Sequence, residues 1–321
     1  MLNKNLKNFV NKCFKNVRVN YIDVGSSLPI NRLALFFKNQ FNFIFFEPNK
    51  REFLILKKYL NKNFKSFKVF NSAVSNINKV KFYIYDRYKL SSVHKLDKDY
   101  NDIYRKIKIK EKKTFRCIKL QKILKRKNEQ DVFFLKIDTQ GHSLPVLQSL
   151  KNKIKYISCL VVEVEKIPTY KKSFGASNID LFLKKNNFLE LGRINDYRWS
   201  KNYKNNKFRY LGKELSYAED RIYIKNIFTS HVNKYDLKLI ILFCIIFDYL
   251  DFGIFLVEKF KNKLEKNFYI LAKKEIYYKL KLNQKFISSQ LQLFYKKKIS
   301  LSNLIQNFDK FSEIFSKKYV F

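Results

Sequence analysis

The stretch FFLKIDTQGHSLPVLQSL at 133–150 constrains the fold more than any other. An apolar run enters Lys136-Ile137-Asp138 and a Thr-Gln-Gly turn follows. Pro145, Val146, Leu147 and Leu150 then recur with the spacing of a buried helix face. A buried strand that ends in a carboxylate and turns straight into a helix belongs to an open α/β sheet. Such sheets bind ligands beyond the carboxyl ends of their strands.

The rest of the first half extends that pattern. Short apolar runs at 21–24, 43–46, 67–74, 81–85, 133–137 and 157–164 have the length and the β-branched or aromatic content of strands. Several are apolar without alternation, as parallel strands covered on both faces are. Segments 31–41 and 51–60 between them carry helix-like spacing, and 178–190 reads as another helix. Strand–helix–strand alternation predicts a doubly wound α/β sheet with right-handed crossovers. Residues 86–130 read as a loop or lid, then a short strand and helix near 115–124. The run at 198–214 reads as a basic loop, and 220–224 as a final strand at the sheet edge.

From about 230 the pattern becomes helical. The division expected is therefore a catalytic domain over 1–228, with its core at 20–195, and a helical C-terminal extension over 229–321. The most apolar run, 237–257, is long enough to cross a bilayer. Asp248 and Asp251 within it would each cost about 2.5–3.5 kcal/mol near the membrane centre, and Gly253 weakens a continuous helix. A buried helix or helix pair is the favoured reading. A contact with the inner face of a membrane is the other expectation.

A hydrophobic content of 46% excludes a disordered chain. The net charge of +40 is the composition's most extreme value. It fits an anionic partner, and weak polyanion binding is expected. However, the lysines are spread along the whole chain rather than gathered in one arm. The abundance of Lys, Asn, Phe, Ile and Tyr beside 6 Gly and 4 Pro matches AT-rich codon usage. No obligate nucleic-acid partner is therefore predicted. Cys13, Cys117, Cys159 and Cys244 are far apart in sequence, with neither metal-type nor redox-type spacing. No metal site is expected, and a reducing cytoplasm suits these thiols. The first sixteen residues read as an amphipathic lead-in helix, without the apolar core of a secretory signal.

Four motifs carry chemistry. In YIDVGSS at 21–27 a strand ends at Asp23 and turns through Gly25 and Ser26, where backbone amides can hold a polar ligand. In FFEPN at 45–49 a second strand ends in Glu47, 22 residues beyond Gly25. An acidic residue about 20 positions after the first turn commonly accepts from ribose hydroxyls. In NSAVSN at 71–76, Ser72, Ala73 and Val74 are small enough for a flat ring to approach. In VVEVE at 161–165, Glu163 and Glu165 point to one face of a strand. Asp138 and Glu163 are candidates to position or deprotonate a hydroxyl. His142 is either an acid/base group or a helix-start residue.

Taken in order, YIDVGSS, FFEPN, NSAVSN, Ser91-Ser92, CIKLQKIL, FLKIDTQGHSLPVL and VVEVE resemble the FkbM family of S-adenosylmethionine-dependent methyltransferases over about 20–195. The resemblance implies a Rossmann-like methyltransferase sheet. It implies O-methyl transfer to a sugar, glycan or small-molecule hydroxyl, with S-adenosyl-L-methionine as cofactor. It puts the methionine and ribose at Asp23, Gly25 and Glu47, and the adenine near Ser72, Ala73 and Val74. The sequence departs from the family pattern twice. No second glycine follows Gly25 within Ser26-Ser27-Leu28-Pro29. Ser143 stands where a glutamate is usual, so Glu163 or His142 would have to replace that group.

Overall fold

The computed structural model describes residues 4–100, 107–199, 215–229 and 232–296, with 299–300, 303–304 and 307. The basic loop expected at 198–214 lies almost wholly outside the described residues. The chain opens with α1 (Lys4–Cys13), whose Leu6, Phe9, Val10 and Cys13 form one buried face. It continues through β1 (Arg18–Val24), α2 (Arg32–Phe36), β2 (Asn42–Phe46), α3 (Lys50–Asn63) and β3 (Phe67–Phe70). A side sheet follows, made of β4 (Ala73–Val74), β5 (Lys79–Tyr85) and β6 (Ile109–Ile118). The chain then alternates through α4 (Leu120–Ile123), β7 (Asp131–Ile137), α5 (Ser143–Gln148), β8 (Ile157–Glu165) and α6 (Ala176–Lys185). It ends with the strands β9 (Phe188–Trp199) and β10 (Leu215–Lys225) and the helices α7 (Lys234–Ile246), α8 (Leu250–Lys259) and α9 (Lys266–Tyr295).

The main sheet has seven strands in the order β3-β2-β1-β7-β8-β10-β9. The first five are parallel; β10 and β9 close one side antiparallel. Every residue of β7 is buried, as a parallel strand covered on both faces requires. Successive side chains alternate between two cores. Tyr21, Phe134, Val161 and Ile222 enter one core, and Ile22, Leu135, Val162 and Tyr223 enter the other. Helices α5 and α6 cover the second core. The first holds α1, α7, α8 and α9 together, from Leu6 to Ile276.

Three expectations change. The run at 67–74 splits, because β4 leaves the main sheet to pair with β6, which also pairs with β5. The strand at 220–224 is internal: β10 pairs with both β8 and β9, so β9 is the edge. The helix expected at 178–190 stops at Lys185, and Phe188 already belongs to β9. The run at 237–257 is a helix pair broken at Asp248, whose φ is 64°. All residues from Asp236 to Ile246 are buried, and Phe243 meets Phe134 edge-on at 4.6 Å. The apolar side chains of α7 are taken up by the core, and its buried Asp236 and Lys238 are ion-paired, so α7 offers no apolar surface to a membrane. Among the described residues no helix is long and apolar enough to cross one.

Candidate active site

β1 and β7 are neighbours, yet the chain winds outward from them in opposite directions. That is the switch point where an open sheet leaves a crevice at its carboxyl edge. A cavity of about 850 Å³ lies there, lined by residues from the ends of β1, β2, β4, β7 and β8 and by residues within β9 and β10. Gly25 makes the crevice: its φ is +87°, and a Cβ there would stand 1.8 Å from the Asp138 carbonyl oxygen. Only glycine lets these two strand ends meet.

Asp23, Gly25, Ser26, Glu47, Ser72, Ala73, Val74, Asp138, His142 and Glu163 all line this one cavity. Their tasks differ. Asp23 is buried; its Oδ2 accepts from Asn31 Nδ2 at 3.2 Å. Its Oδ1 has no hydrogen bond and lies 3.6 Å from Lys136 Nζ. Burial raises its pKa, and Lys136 opposes that. The Ser26 hydroxyl donates to Asp23 O at 2.7 Å, so it closes the turn. Ser72 likewise donates to backbone, at Arg116 O.

Glu47 is 3% exposed. Its Oε1 accepts from Asn49 N at 2.6 Å and from Tyr88 OH at 2.5 Å. Its Oε2 takes no hydrogen bond among the described residues. Burial raises its pKa to about 7, against the pull of those two donors.

Asp138 is the accessible carboxylate, with 38% of its side chain exposed. Its Oδ2 lies 3.3 Å from Lys136 Nζ and its Oδ1 accepts from Gln140 Nε2 at 3.2 Å. Burial of its carboxyl works toward a higher pKa; Lys136 and the hydrogen bonds outweigh it and hold the group low, hence ionised. Glu163 has the opposite character. Burial first, then the Asp138 charge, push its pKa far up, so it is held protonated beside an ionised partner. Gln140 ties the two together. Its side chain donates to Glu163 Oε1 at 2.7 Å and its backbone N–H to Oε2 at 3.0 Å. Glu165 sits deeper, accepts from Thr169 at 2.9 Å, and is not part of the cavity wall.

His142 is turned inward at 5% exposure. Nδ1 meets His94 Nε2 at 3.1 Å and Nε2 meets Ser75 Oγ at 3.1 Å. With both nitrogens engaged and its pKa lowered by burial to about 3, it stays neutral and braces the turn after β7. Ser143 Oγ donates to Glu163 O at 2.9 Å, so it anchors β8 rather than reaching the cavity. Sequence reasoning missed Lys136, Gln140, Tyr88 and His94. Lys136 alone carried a signal, a cation inside an otherwise apolar strand.

The doubly wound, mostly parallel sheet with a carboxylate-lined crevice at its switch point is a Rossmann-like architecture, of the kind that takes nucleoside cofactors. Residues 21–190, just over half of the chain, match the model of the methyltransferase FkbM domain, and the chain belongs to that family. Its cofactor is S-adenosylmethionine. The residues present fit that group. Glu47 offers an unengaged oxygen to a diol, Asp23 Oδ1 is buried without a donor, and Phe46, Pro48 and Val74 give an apolar wall. No curated protein matches the sequence. Solved structures similar to the chain include TrmK from M. capricolum in complex with S-adenosylhomocysteine, at 14% identity, covering 86% of this chain and 95% of that one, with a TM-score of 0.34. An rRNA methylase from Streptococcus thermophilus has 5% identity, coverage of 68% and 93%, and a TM-score of 0.34. A S-adenosylmethionine-dependent methyltransferase from Clostridium acetobutylicum has 11% identity, coverage of 70% and 92%, and a TM-score of 0.34.

Proposed function

We propose that the protein transfers a methyl group to a hydroxyl oxygen of a sugar, glycan or other small molecule. The observation that carries this reading is Asp138: an ionised, accessible carboxylate sharing one cavity with the carboxyls of Asp23 and Glu47. S-adenosylmethionine supplies an electrophilic methyl group on a sulfonium. Asp138 accepts the proton of the attacking hydroxyl, which raises the nucleophilicity of that oxygen as it reacts. Lys136 keeps Asp138 ionised. Protonated Glu163, linked through Gln140, fixes its orientation. Glu47 and Asp23 hold the cofactor end, and the packed strand ends set the alignment on which direct displacement depends. Glu163 therefore serves as a positioning residue, and Ser143 leaves no catalytic gap that His142 must fill.

The charge of +40 favours a second reading, methyl transfer to nucleic acid. The two are separated by supplying labelled S-adenosylmethionine with either glycan extracts or RNA. Label in the glycan fraction, lost in Asp138→Asn, is expected. Label in RNA alone, with binding that falls steeply with salt, would reverse the assignment. A chain that fails to bind S-adenosylhomocysteine would leave a non-catalytic scaffold.

A further inference from the structure

We propose that Asn195, Tyr197 and Asp220 form an acceptor subsite that recognises neighbouring hydroxyls of an uncharged, polyhydroxylated acceptor. The inference rests on the methyl-transfer reading and says which acceptor class that site takes. These residues belong to β9 and β10, beyond residue 190 where the family match ends. They line the same cavity as Asp138.

The strand register places them in a row. Asn195 pairs with Asp220 across β9 and β10, and Asp220 with Glu163 across β10 and β8. Ile137 pairs with Val162, so Asp138 follows beside Glu163 at the end of β7. Strands lie about 4.8 Å apart, which sets Asp220 roughly 10 Å from Asp138. One hexose ring with a hydrogen bond at each end spans that gap.

The chemistry of the row is that of acceptors. Asn195 Nδ2 donates to Asp220 Oδ2 at 2.5 Å, which fixes the amide orientation and leaves Oδ1 as the other end. That Oδ1 is buried without any partner in a residue only 5% exposed. Buried polar atoms normally have partners, so a lone acceptor in a cavity wall points to a donor that arrives with a ligand. Tyr197 OH also donates to Asp220 Oδ2, at 2.9 Å. Asp220 Oδ1 takes no hydrogen bond among the described residues. Burial raises Asp220 to about 6, so it is ionised at neutral pH and can only accept.

Donor-rich hydroxyls complement this wall, and phosphate does not. Among the described residues the cations lining the cavity are Arg32, Lys89 and Lys136, and none comes from β9 or β10. Tyr197 and Tyr217 add two rings with centroids 6.5 Å apart. Such surfaces suit the C–H faces of a sugar.

The test uses the full chain saturated with S-adenosylhomocysteine. Saturation-transfer NMR is recorded with methyl α-D-glucopyranoside, methyl α-L-rhamnopyranoside, glucose 6-phosphate and triuridylate. Signal is expected from at least one methyl glycoside. Asn195→Ala and Asp220→Asn should weaken that glycoside at least about tenfold, the scale of one lost hydrogen bond to a charged or buried partner. The affinity for S-adenosylhomocysteine should stay within about twofold, which also shows that each variant is folded. Tyr197→Phe keeps the ring and removes one donor to Asp220, and should weaken the glycoside less than Asp220→Asn. Glucose 6-phosphate or triuridylate binding as well as the glycosides would overturn the proposal. So would undiminished glycoside binding by both variants, or cofactor binding with no glycoside signal. Loss of S-adenosylhomocysteine binding by the unmodified chain would instead refute the methyl-transfer reading on which the subsite rests.

Discussion

Placing the cofactor's ribose at Glu47 gives cofactor affinity a pH dependence whose sign and size follow from the structure. Burial holds this carboxyl at about 7. Below that value the group is protonated, and above it the ionised form is available to accept from a diol. The ionised fraction is about 0.1 at pH 6 and about 0.9 at pH 8. Apparent affinity scales with the competent fraction, so binding should strengthen roughly tenfold over that interval. Calorimetric titration of S-adenosylhomocysteine at pH 6, 7 and 8 measures it. Glu47→Gln should bind several-fold more weakly and lose the slope. Stability should run the other way. A carboxyl whose folded pKa is raised contributes stability that is full below its unfolded value and is lost as pH rises through the folded one. Glu47 thus stabilises the cofactor-free chain below about 4.5 and ceases to do so above about 7. A flat affinity in the wild type, or the same slope surviving in Glu47→Gln, would refute the reasoning.

Further expectations concern single side chains. Asp138→Ala should lower turnover by about 10²–10⁴, the range for a general base, while cofactor affinity measured by calorimetry stays nearly constant. Equal turnover would remove Asp138 from the mechanism. Gly25→Ala forces a methyl group onto the Asp138 carbonyl. It should cost about 1–3 kcal/mol in urea unfolding and weaken cofactor binding as well; an unchanged midpoint would count against the packed strand ends. Phe243→Ala opens the core between α7 and β7, where the ring is 1% exposed. A loss of about 3–5 kcal/mol is expected, against near zero if α7 faced a membrane instead.

The parallel half of the fold was legible because burial on both faces leaves an unmistakable trace. Runs such as FNFIFF and VFFLKI have no polar alternation to confuse with a surface. Of the antiparallel margin, β10 was legible at 220–224 and β9 was not. β9 reads FLELGRINDYRW, an edge strand whose charged residues satisfy solvent and neighbours alike. The strand β6 is mostly exposed; its lysine-rich first half carries no apolar face, and only its end near Phe115 reads as a strand. In the site, carboxylates at strand ends were visible because motif spacing places them. Their protonation was not, since it depends on neighbours distant in sequence. Asp138 and Glu163 are similar acids one strand apart; Lys136 and Gln140 decide which is ionised.

The same distinction applies to charge. A net charge of +40 describes the long-range field and the partners that drift toward it. It does not describe the crevice. Lys136, Lys225, Lys238 and Lys279 are the buried lysines among the described residues. Each lies within reach of a carboxylate, because an unpaired buried cation is costly. Among the described residues the excess positive charge therefore lies on the solvated surface, where it tolerates substitution and is screened by salt. Among the described residues the cavity wall differs: the carboxyls of Asp23, Glu47, Asp138 and Asp220, with protonated Glu163, outnumber Lys136, Arg32 and Lys89. A phosphate-bearing acceptor would be drawn to the outside of this protein and then meet carboxylates at the point of reaction. A hydroxyl-rich neutral acceptor meets the reverse, an indifferent surface and a cavity of hydrogen-bond acceptors, and that is the order of forces a selective O-methyl transfer requires.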